Sequence, residues 1–498
     1  MKKILYIVWC LVAFISCQNE KVSTDSSLRL MFSVDTLRFD TVFTTMGSAT
    51  KSVTIYNPNK NAVIIDHVLQ DKQKYFYINF DGETQLDKMG GQINGGDSLI
   101  LYVRVNIDPQ DANSPVLVED MLWFEVNGNR FPLALEAYGQ DVEKIKSPTR
   151  CTTYEQYTFN NVKPYLIFDT VKVTQSLVME SGARLYFHQG GCLIAEGNVS
   201  IGSPYSSTPL LPSSPILCIS DRIDNLFDKV PYAYAAGGWD GFYLVHSEGG
   251  PDEYLINGLE VVSGTNGLQL INADSLSLSA SQPLSPSASP PLCRLTNCRI
   301  HNQAGNGLTI HNMDVEVSNT EVSNCAAYCV YLTGGKHTFI HSTIASYFNS
   351  TNVRIQSVPN MGLSAVYVDN ADSLPKVTAE FMNCVIDGIG NHNLMWADTI
   401  GEDYEGRIFG NYLKSDSLPT PLPPYSSTPN IYWQKGDTAR VFKNMYFEYE
   451  VYTYYDFHLA DNSPARGIAD SAVASLYDKD REGLPRDAKQ ASAGCYEK

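Results

Sequence analysis

A four-residue step recurs at a fixed interval in the second half of the chain. Asn297-Cys298-Arg299-Ile300 is followed by Asn319-Thr320-Glu321-Val322 and then by His341-Ser342-Thr343-Ile344, which gives a 22-residue repeat. A unit this short cannot bury its apolar side chains alone, but stacked units form one continuous core. The repeat therefore predicts a solenoid of short strands, with coils about 4.8 Å apart.

Other positions keep the same frame. Asn302 meets Asn324 in the next coil, so we expect the two corner amides to hydrogen-bond along the stack, each bond contributing about 0.5–1.5 kcal/mol. Two wider intervals are interpreted as pairs of coils. One leads from His341-Ser342-Thr343-Ile344 to Asn383-Cys384-Val385-Ile386, and the other from Gly267-Leu268 to Gly307-Leu308.

The chain from residue 143 resembles right-handed parallel β-helix proteins of the pectate-lyase-like superfamily. Short apolar steps in SGARLYFHQGGCLIAEG (181–197) are similar to their entry coils, and Gly238-Trp239-Asp240-Gly241 to a step that follows. The end of the chain is similar to their closing segment at Phe457, Leu459, Ser463-Pro464-Ala465, Asp480, Gly483, Arg486, Gly494, Tyr496 and Glu497. We therefore predict a β-helix over 143–498 whose last residues cap the final coil, with Asp480 and Arg486 as structural ion-pair candidates rather than catalysts.

Residues 28–142 follow a different pattern. Alternating stretches such as SVTIYNP, SLILYVRVNI and MLWFEVNG are separated by turns rich in Gly and Asn. Strands at this spacing predict an antiparallel β-sandwich. Their order resembles the immunoglobulin-like domains of the ASPM/SPD-2/Hydin type, and that resemblance implies a spacer or a binding module.

The N-terminus predicts export. Two lysines precede an apolar run that is too short for a permanent membrane span. Phe14-Ile15-Ser16-Cys17 resembles the lipobox of bacterial lipoproteins, which implies cleavage after residue 16, acylation of Cys17 and a flexible tether over 17–27. An ordinary cleaved signal with an incidental cysteine is the alternative. We predict an outer-membrane location in a Gram-negative cell envelope, with the lipid as the membrane contact.

The composition argues against nucleic acid as a partner and against a disulfide framework. The formal charge of −18 argues against nucleic-acid binding, which needs a basic surface. Of the 11 cysteines, Cys10 falls in the signal and Cys17 at the anchor, so nine remain. An odd number with irregular spacing does not indicate a disulfide framework.

Clustered cysteines and histidines raise the question of a metal site. The cluster consists of Cys298, His301, His311, Cys325 and Cys329. Zinc ligands usually come in closely spaced pairs, and these residues do not. Cys298 occupies the same position in the 22-residue repeat as Thr320 and Ser342; residues at one repeat position form a column along the stack. We therefore interpret the cysteines as small core residues. The spacing also predicts that Cys298 lies about four coils from Cys384. No metal and no cofactor is predicted.

Carbohydrate chemistry is the remaining expectation. The signature steps of β-helix hydrolases are absent, and no carboxylate pair or basic ladder for lyase chemistry is evident. The best residual cluster is Asp387, His392 and Asp398 as catalytic candidates, with Trp396 and Trp433 as sugar-stacking candidates. We predict a non-catalytic protein that binds a glycan or another surface component. The alternative is a diverged lyase or hydrolase acting on an acidic polysaccharide.

Overall fold

The computed structural model describes residues 21–202, 214–227, 230–232, 235–273, 291–348, 364–369, 374, 376–396, 406–415, 428–433, 439–445, 455–487 and 489–497. Two compact units meet between Val142 and Glu143. Among these residues no helix is long and apolar enough to cross a membrane.

The first unit is a β-sandwich. Its strands are β1 Met31–Phe32, β2 Thr36–Phe43, β3 Lys51–Tyr56, β4 Val63–Ile65, β5 His67–Gln70, β6 Phe76–Phe80, β7 Gly91–Ile93, β8 Ser98–Val105, β9 Val116–Val126 and β10 Asn129–Gln140, with a 3-10 turn at Leu86–Lys88. One sheet has the order β1-β3-β8-β6, the other has β2-β10-β9-β5, and β4 pairs with β7. The pairing is antiparallel apart from β2 and β10, which run parallel. Alternate residues of β8 and β9 face the shared core, as the sequence pattern predicts.

The second unit is a parallel β-helix. Its strands are β11 Glu143–Ile145, β12 Cys151–Phe159, β13 Tyr165–Ile167, β14 Thr170–Met179, β15 Arg184–Phe187, β16 Cys192–Glu196, β17 Asn198–Ile201, β18 Ile216–Ser220, β19 Asn225–Phe227, β20 Val230–Pro231, β21 Gly241–His246, β22 Glu253–Asn257, β23 Leu259–Val262, β24 Leu268–Asn272, β25 Leu292–Thr296, β26 Arg299–His301, β27 Leu308–His311, β28 Asp314–Ser318, β29 Glu321–Ser323, β30 Tyr328–Thr333, β31 Lys336–Ile340, β32 Thr343–Ser346, β33 Ser364–Asp369, β34 Thr378–Met382, β35 Val385–Gly388, β36 Leu394–Trp396, β37 Ile408–Phe409, β38 Tyr412–Leu413, β39 Ile431–Tyr432, β40 Phe442–Asn444 and β41 Asp456–Leu459. One short helix, α1, spans Ser471–Ala474.

Three faces run along the stack. Face 1 is an 11-stranded sheet with the order β11-β13-β15-β18-β23-β26-β29-β32-β35-β38-β39. Face 2 contains β16, β21, β24, β27, β30, β33 and β36, and face 3 contains β17, β22, β25, β28, β31, β34 and β37. The long strand β14 joins faces 2 and 3 at the first coil. All these pairings are parallel, so each coil sits in register on the one before it.

The predicted 22-residue frame is confirmed, but the prediction that each wider interval contains a pair of coils is wrong. Ile300 pairs with Val322 and Val322 with Ile344, as the repeat predicts. Ile344 then pairs directly with Ile386, so the interval between them is one coil that carries an insertion. Leu268 likewise pairs directly with Leu308. An insertion between two strands lengthens a coil without changing how its strands pair. The spacing of residues in the sequence therefore cannot distinguish one lengthened coil from two regular coils.

Corner residues adopt left-handed backbone along the stack. Between faces 3 and 1 the positive φ angles fall at Gly182, Gly202, Gly258, Asn297, Asn319, His341, Asn383 and Gly410. Between faces 1 and 2, Asn324 Nδ2 donates to Asn302 Oδ1 at 2.9 Å, and Asn302 Nδ2 donates to Ser263 Oγ at 3.2 Å. This second corner therefore forms the predicted amide ladder. Gly and Asn suit these corners because both tolerate positive φ.

The C-terminal segment, residues 455–497, lies along the outer side of face 1. Asn383 Nδ2 donates to Asp470 O at 3.0 Å, and the Asp470 N–H donates back to Asn383 Oδ1 at 2.7 Å. Two coils earlier, Asn319 Oδ1 accepts from Arg486 at 2.9 Å. The corner asparagines thus bind this segment, which covers the side of several coils as well as following the last one.

Arg486 forms a structural ion pair, as predicted, but Asp480 has no ion-pair partner among the described residues and accepts backbone hydrogen bonds instead. Arg486 is buried and pairs with Glu497 at 3.4 Å. The Asp480 carboxylate accepts the backbone N–H groups of Leu484 at 2.8 Å and Glu497 at 3.0 Å. The carboxylate and guanidinium fix the closing turn of the segment rather than pairing with each other.

A buried carboxylate locks this segment to face 1. Glu321 on β29 is 2% exposed and accepts hydrogen bonds from Arg299 at 3.2 Å, Ser323 at 2.6 Å and the hydroxyl of Tyr496 at 2.5 Å. Burial favours the neutral acid, but the positive charges of Arg299 and Arg481 outweigh it and lower the pKa of Glu321 to about 2.

The corner amide ladder yields a stability prediction. Asn324→Gly keeps the left-handed backbone and loses the side-chain hydrogen bond to Asn302, so the free energy of unfolding falls by about 0.5–1.5 kcal/mol. Asn324→Ala also places a β-carbon at positive φ and is less stable than the Gly variant by about 1 kcal/mol. Urea unfolding followed by circular dichroism measures both. Equal stability of the two variants would contradict a left-handed corner.

The Glu321 lock yields a pH prediction. Its folded pKa lies below its ordinary value of 4.5, so the carboxylate stabilises the fold above that value and the contribution disappears as the pH falls toward 2. The difference in unfolding free energy between the wild type and Glu321→Gln is expected to be largest near neutral pH. It begins to shrink below about pH 5 and disappears as the pH approaches 2. Glu253→Gln, at a half-exposed ion pair with Arg294, is the control and shows a small gap. A gap for Glu321→Gln that does not change with pH would refute the lock.

Candidate functional site

Two of the sequence candidates meet on face 1 near the end of the stack. Asp387 on β35 is buried, and its carboxylate lies 4.0 Å from Lys414 Nζ. That ammonium group donates to Gly388 O at 2.7 Å and lies 5.2 Å from the ring centre of Trp433. Burial raises the pKa of Asp387, against the opposing charge of Lys414. Asp387 and Trp433 thus share one cation, but the carboxylate is enclosed in the protein.

The other candidates do not join them. His392 is exposed in the turn after β35, and its backbone bridges to Ser415. Trp396 ends β36 on face 2 and packs against the main core. Asp398 lies outside the described residues, as does the predicted anchor Cys17. The described part of the cluster is therefore spread over two faces and the turn between them.

The cysteine and histidine candidates occupy separate positions in the coil. Cys298 lies at the corner between faces 3 and 1, where its thiol donates to Thr296 O at 3.3 Å. Thr320 and Ser342, in the same column, also donate to the carbonyl two residues earlier. Cys384 makes the same contact with Met382 O. This column confirms the interpretation of small residues in equivalent slots, although Cys298 and Cys384 are three coils apart rather than four, at roughly 14 Å.

His301, His311 and Cys325 point in different directions. His301 lies on face 1 beneath the C-terminal segment, where burial lowers its pKa to about 3. His311 lies on face 2, and Cys325 follows β29, where its thiol contacts that of Cys329. Within the described ranges no group of three or more His, Cys, Asp or Glu side chains could hold a metal, and every described cysteine is free.

A stack of tyrosines stands on the outer side of face 2. Tyr331 on β30 pairs in register with Tyr367 on β33, and their rings lie 5.7 Å apart at 21°. Tyr328 stacks on Tyr367 at 4.8 Å and 19°. Val330 and Leu332, on either side of Tyr331, point into the core, so the strand alternation directs the rings of Tyr331 and its register partner Tyr367 outward. We call Tyr328, Tyr331 and Tyr367 the tyrosine stack; all three are half-buried.

Polar side chains flank the tyrosine stack in the adjacent column. The Tyr331 hydroxyl donates to Asp369 Oδ2 at 2.6 Å, and burial with this bond raises the pKa of Tyr331. One coil earlier, His311 Nδ1 and Thr333 Oγ1 lie 2.8 Å apart. Burial lowers the pKa of His311, so the ring is neutral at physiological pH.

Two polar atoms on this face lack a partner. His311 Nε2 and Gln269 Nε2 are both buried, and neither forms a hydrogen bond with any described group. Gln269 precedes Thr309 in the column that continues to Tyr331 and Tyr367. Unsatisfied buried polar atoms carry a free-energy cost of about 1–3 kcal/mol each.

The arrangement is suited to holding a flat, weakly polar ligand. Aromatic faces bury large apolar area with little loss of conformational entropy, and Asp369 offers an acceptor fixed by Tyr331. Asp369 is the one carboxylate with a described contact to the tyrosine stack, so the two-carboxylate geometry of glycoside hydrolysis is not assembled at these residues. The sequence did not indicate this site, because an insertion separates Tyr331 from Tyr367. The apolar residues Val330 and Leu332, which follow the repeat, could have indicated that Tyr331 between them points outward.

Comparison with known proteins supports the β-helix. A family model described as a right-handed β-helix region matches residues 241–392, which contain the sequence repeat and the tyrosine stack. No curated protein matches the chain.

A solved structure also matches part of the chain. It is the ASH/PapD-like domain 7 of human CEP192, at 8% identity, over 25% of this chain and 91% of that one, with a TM-score of 0.17. A score this low supports no statement about the fold, so the assignment rests on strand pairing and the family model. The chain carries an N-terminal β-sandwich and a right-handed parallel β-helix.

Proposed function

We propose that this protein is held at the outer membrane of a Gram-negative cell by a lipid on Cys17 and binds a glycan without cleaving it. The observation that carries the binding proposal is the tyrosine stack on face 2. Stacked tyrosine rings present a long apolar strip, and sugar rings offer C–H faces of matching shape. The polar column beside it supplies acceptors and donors for hydroxyl groups.

The charge of the site favours a neutral glycan. Asp369 is the carboxylate that contacts the stack, and no described cation contacts the three tyrosines. An anionic sugar at this site would meet the Asp369 carboxylate with no compensating cation among the described residues that contact the stack. A neutral sugar would donate hydroxyl hydrogens to Asp369.

The same geometry supports binding without cleavage. Retaining and inverting hydrolysis both need a second carboxylate opposite the first, and the candidate Asp387 is buried on face 1 rather than on face 2. A panel of polysaccharides incubated with the protein is expected to release neither reducing ends nor unsaturated products. Release of either would replace this proposal with the lyase or hydrolase alternative.

Tyrosine substitutions test the binding face. Tyr331→Ala is expected to weaken binding to a retained neutral polysaccharide, screened among xyloglucan, mannan and dextran, by about two- to tenfold. Tyr331→Phe keeps the ring and loses only the bond to Asp369, so its loss is smaller. Affinity gel electrophoresis measures both. Tyr138→Ala, an exposed tyrosine of the first unit, is the matched control and leaves retention unchanged. Unaltered retention of Tyr331→Ala would remove the stack from the binding site.

The anchor has its own test. Cys17→Ala removes the thiol that the lipid would occupy, so the variant is expected to lose acylation and to leave the membrane fraction. Metabolic labelling with a fatty acid and detergent phase partition measure the two effects. Cys10→Ala, in the predicted signal, is the control that keeps both. Acylated, membrane-bound Cys17→Ala would contradict the anchor without bearing on the glycan site.

A further inference from the structure

The first unit carries a second, chemically different surface. A concave surface of about 950 Å³ lies at β6 and β8, and its lining includes Lys74, Tyr77, Tyr102 and Arg104. Tyr77 and Tyr102 are 48% and 45% exposed. We call these four side chains the cationic face.

The aromatic and basic side chains are arranged by strand register. Tyr77 on β6 lies directly opposite Arg104 on β8, and Tyr102 lies opposite Asn79 one step along. The Arg104 guanidinium lies 5.1 Å from the centre of the Tyr77 ring. Tyrosine rings and an arginine fork thus alternate across two adjacent strands. Exposed Tyr and Arg together are the residues that most often anchor binding.

The cationic face has unmatched charge. None of the residues that line it is acidic, although the chain has 54 acidic and 36 basic residues. Within the described chain neither Arg104 nor Lys74 forms an ion pair, whereas Arg38 and Arg130 of the same unit pair with Glu136 and Glu125. A ligand with carboxylates would supply the missing partner, and the arginine fork matches carboxylate geometry.

The edge of the sheet argues against a peptide ligand. Strand addition needs the free N–H and C=O groups of the edge strand β6. At one end Phe76 O accepts from Gln70 Nε2 at 3.1 Å. At the other end the backbone N–H and C=O of Phe80 are both bonded to Glu83. The edge is therefore occupied at both ends, and the ligand must lie on the side-chain surface.

We propose that the cationic face binds a polysaccharide that carries carboxylates, with sugar rings over Tyr77 and Tyr102 and a carboxylate on Arg104. This site is independent of the tyrosine stack and takes the opposite kind of glycan. Attraction between exposed charges is screened by salt, so binding weakens as ionic strength rises.

The test uses the full chain, with alginate as the probe and its uncharged ester as the ligand control. The double variant Lys74→Gln/Arg104→Gln is expected to bind alginate about tenfold more weakly or worse. The matched double variant Lys60→Gln/Arg130→Gln removes the same charge elsewhere on the unit and binds as the wild type does. Tyr77→Ala weakens binding with both positive charges retained.

Four results would overturn the proposal: no binding of alginate, equal binding of its uncharged ester, equal losses in the two double variants, or polyglutamate binding as tightly as alginate. The last result would identify a general anion surface. Tyr331→Ala is included in the same assay and leaves alginate binding unchanged. A failure here is therefore distinguishable from a failure of the neutral-glycan proposal, which is measured with a different polymer and variant.

Discussion

Left-handed backbone at the corners is the constraint on which the β-helix depends. Each coil must leave one flat sheet and enter the next within one or two residues, and positive φ at the same position of successive coils makes that turn. Gly410 shows how tight the corner is, since a β-carbon there would lie 2.3 Å from Asn383 Oδ1. Because the corners are stacked, the strands between them are held in register, and the three faces follow.

The corner residues also bind the rest of the chain. Asparagine is one of few side chains that accept positive φ and still offer a donor and an acceptor. Between faces 1 and 2 Asn324 uses them along the stack, but Asn319 and Asn383 use theirs to hold the C-terminal segment. That segment then covers Glu321 and excludes water from it. A residue that suits the corner backbone thus also holds the segment that covers face 1.

The sequence predicts the parts of this structure that repeat. Ile300, Val322 and Ile344 recur at equal spacing because each fills the same core position, and such spacing is readable without coordinates. The insertions break that logic, since Ile386 follows Ile344 by one coil although the chain between them is much longer than a regular coil. The same effect concealed the tyrosine stack. Asp387 and Trp433 both contact the Lys414 ammonium group, and no motif in the sequence indicated that they share this cation.

Aromatic content alone does not locate a binding surface in this chain. The stretch MYFEYEVYTYYDF (445–457) is rich in aromatic residues, yet at its described end Phe457 is buried and packs on Phe442, and Tyr455 stacks on Phe457. Tyr331 and Tyr77 are inconspicuous in the sequence and point outward. The difference is set by strand parity: in a strand with one buried face, a shift of one residue moves a ring from the core to the surface. Binding candidates in such a fold are therefore assigned from register, and only then from residue type.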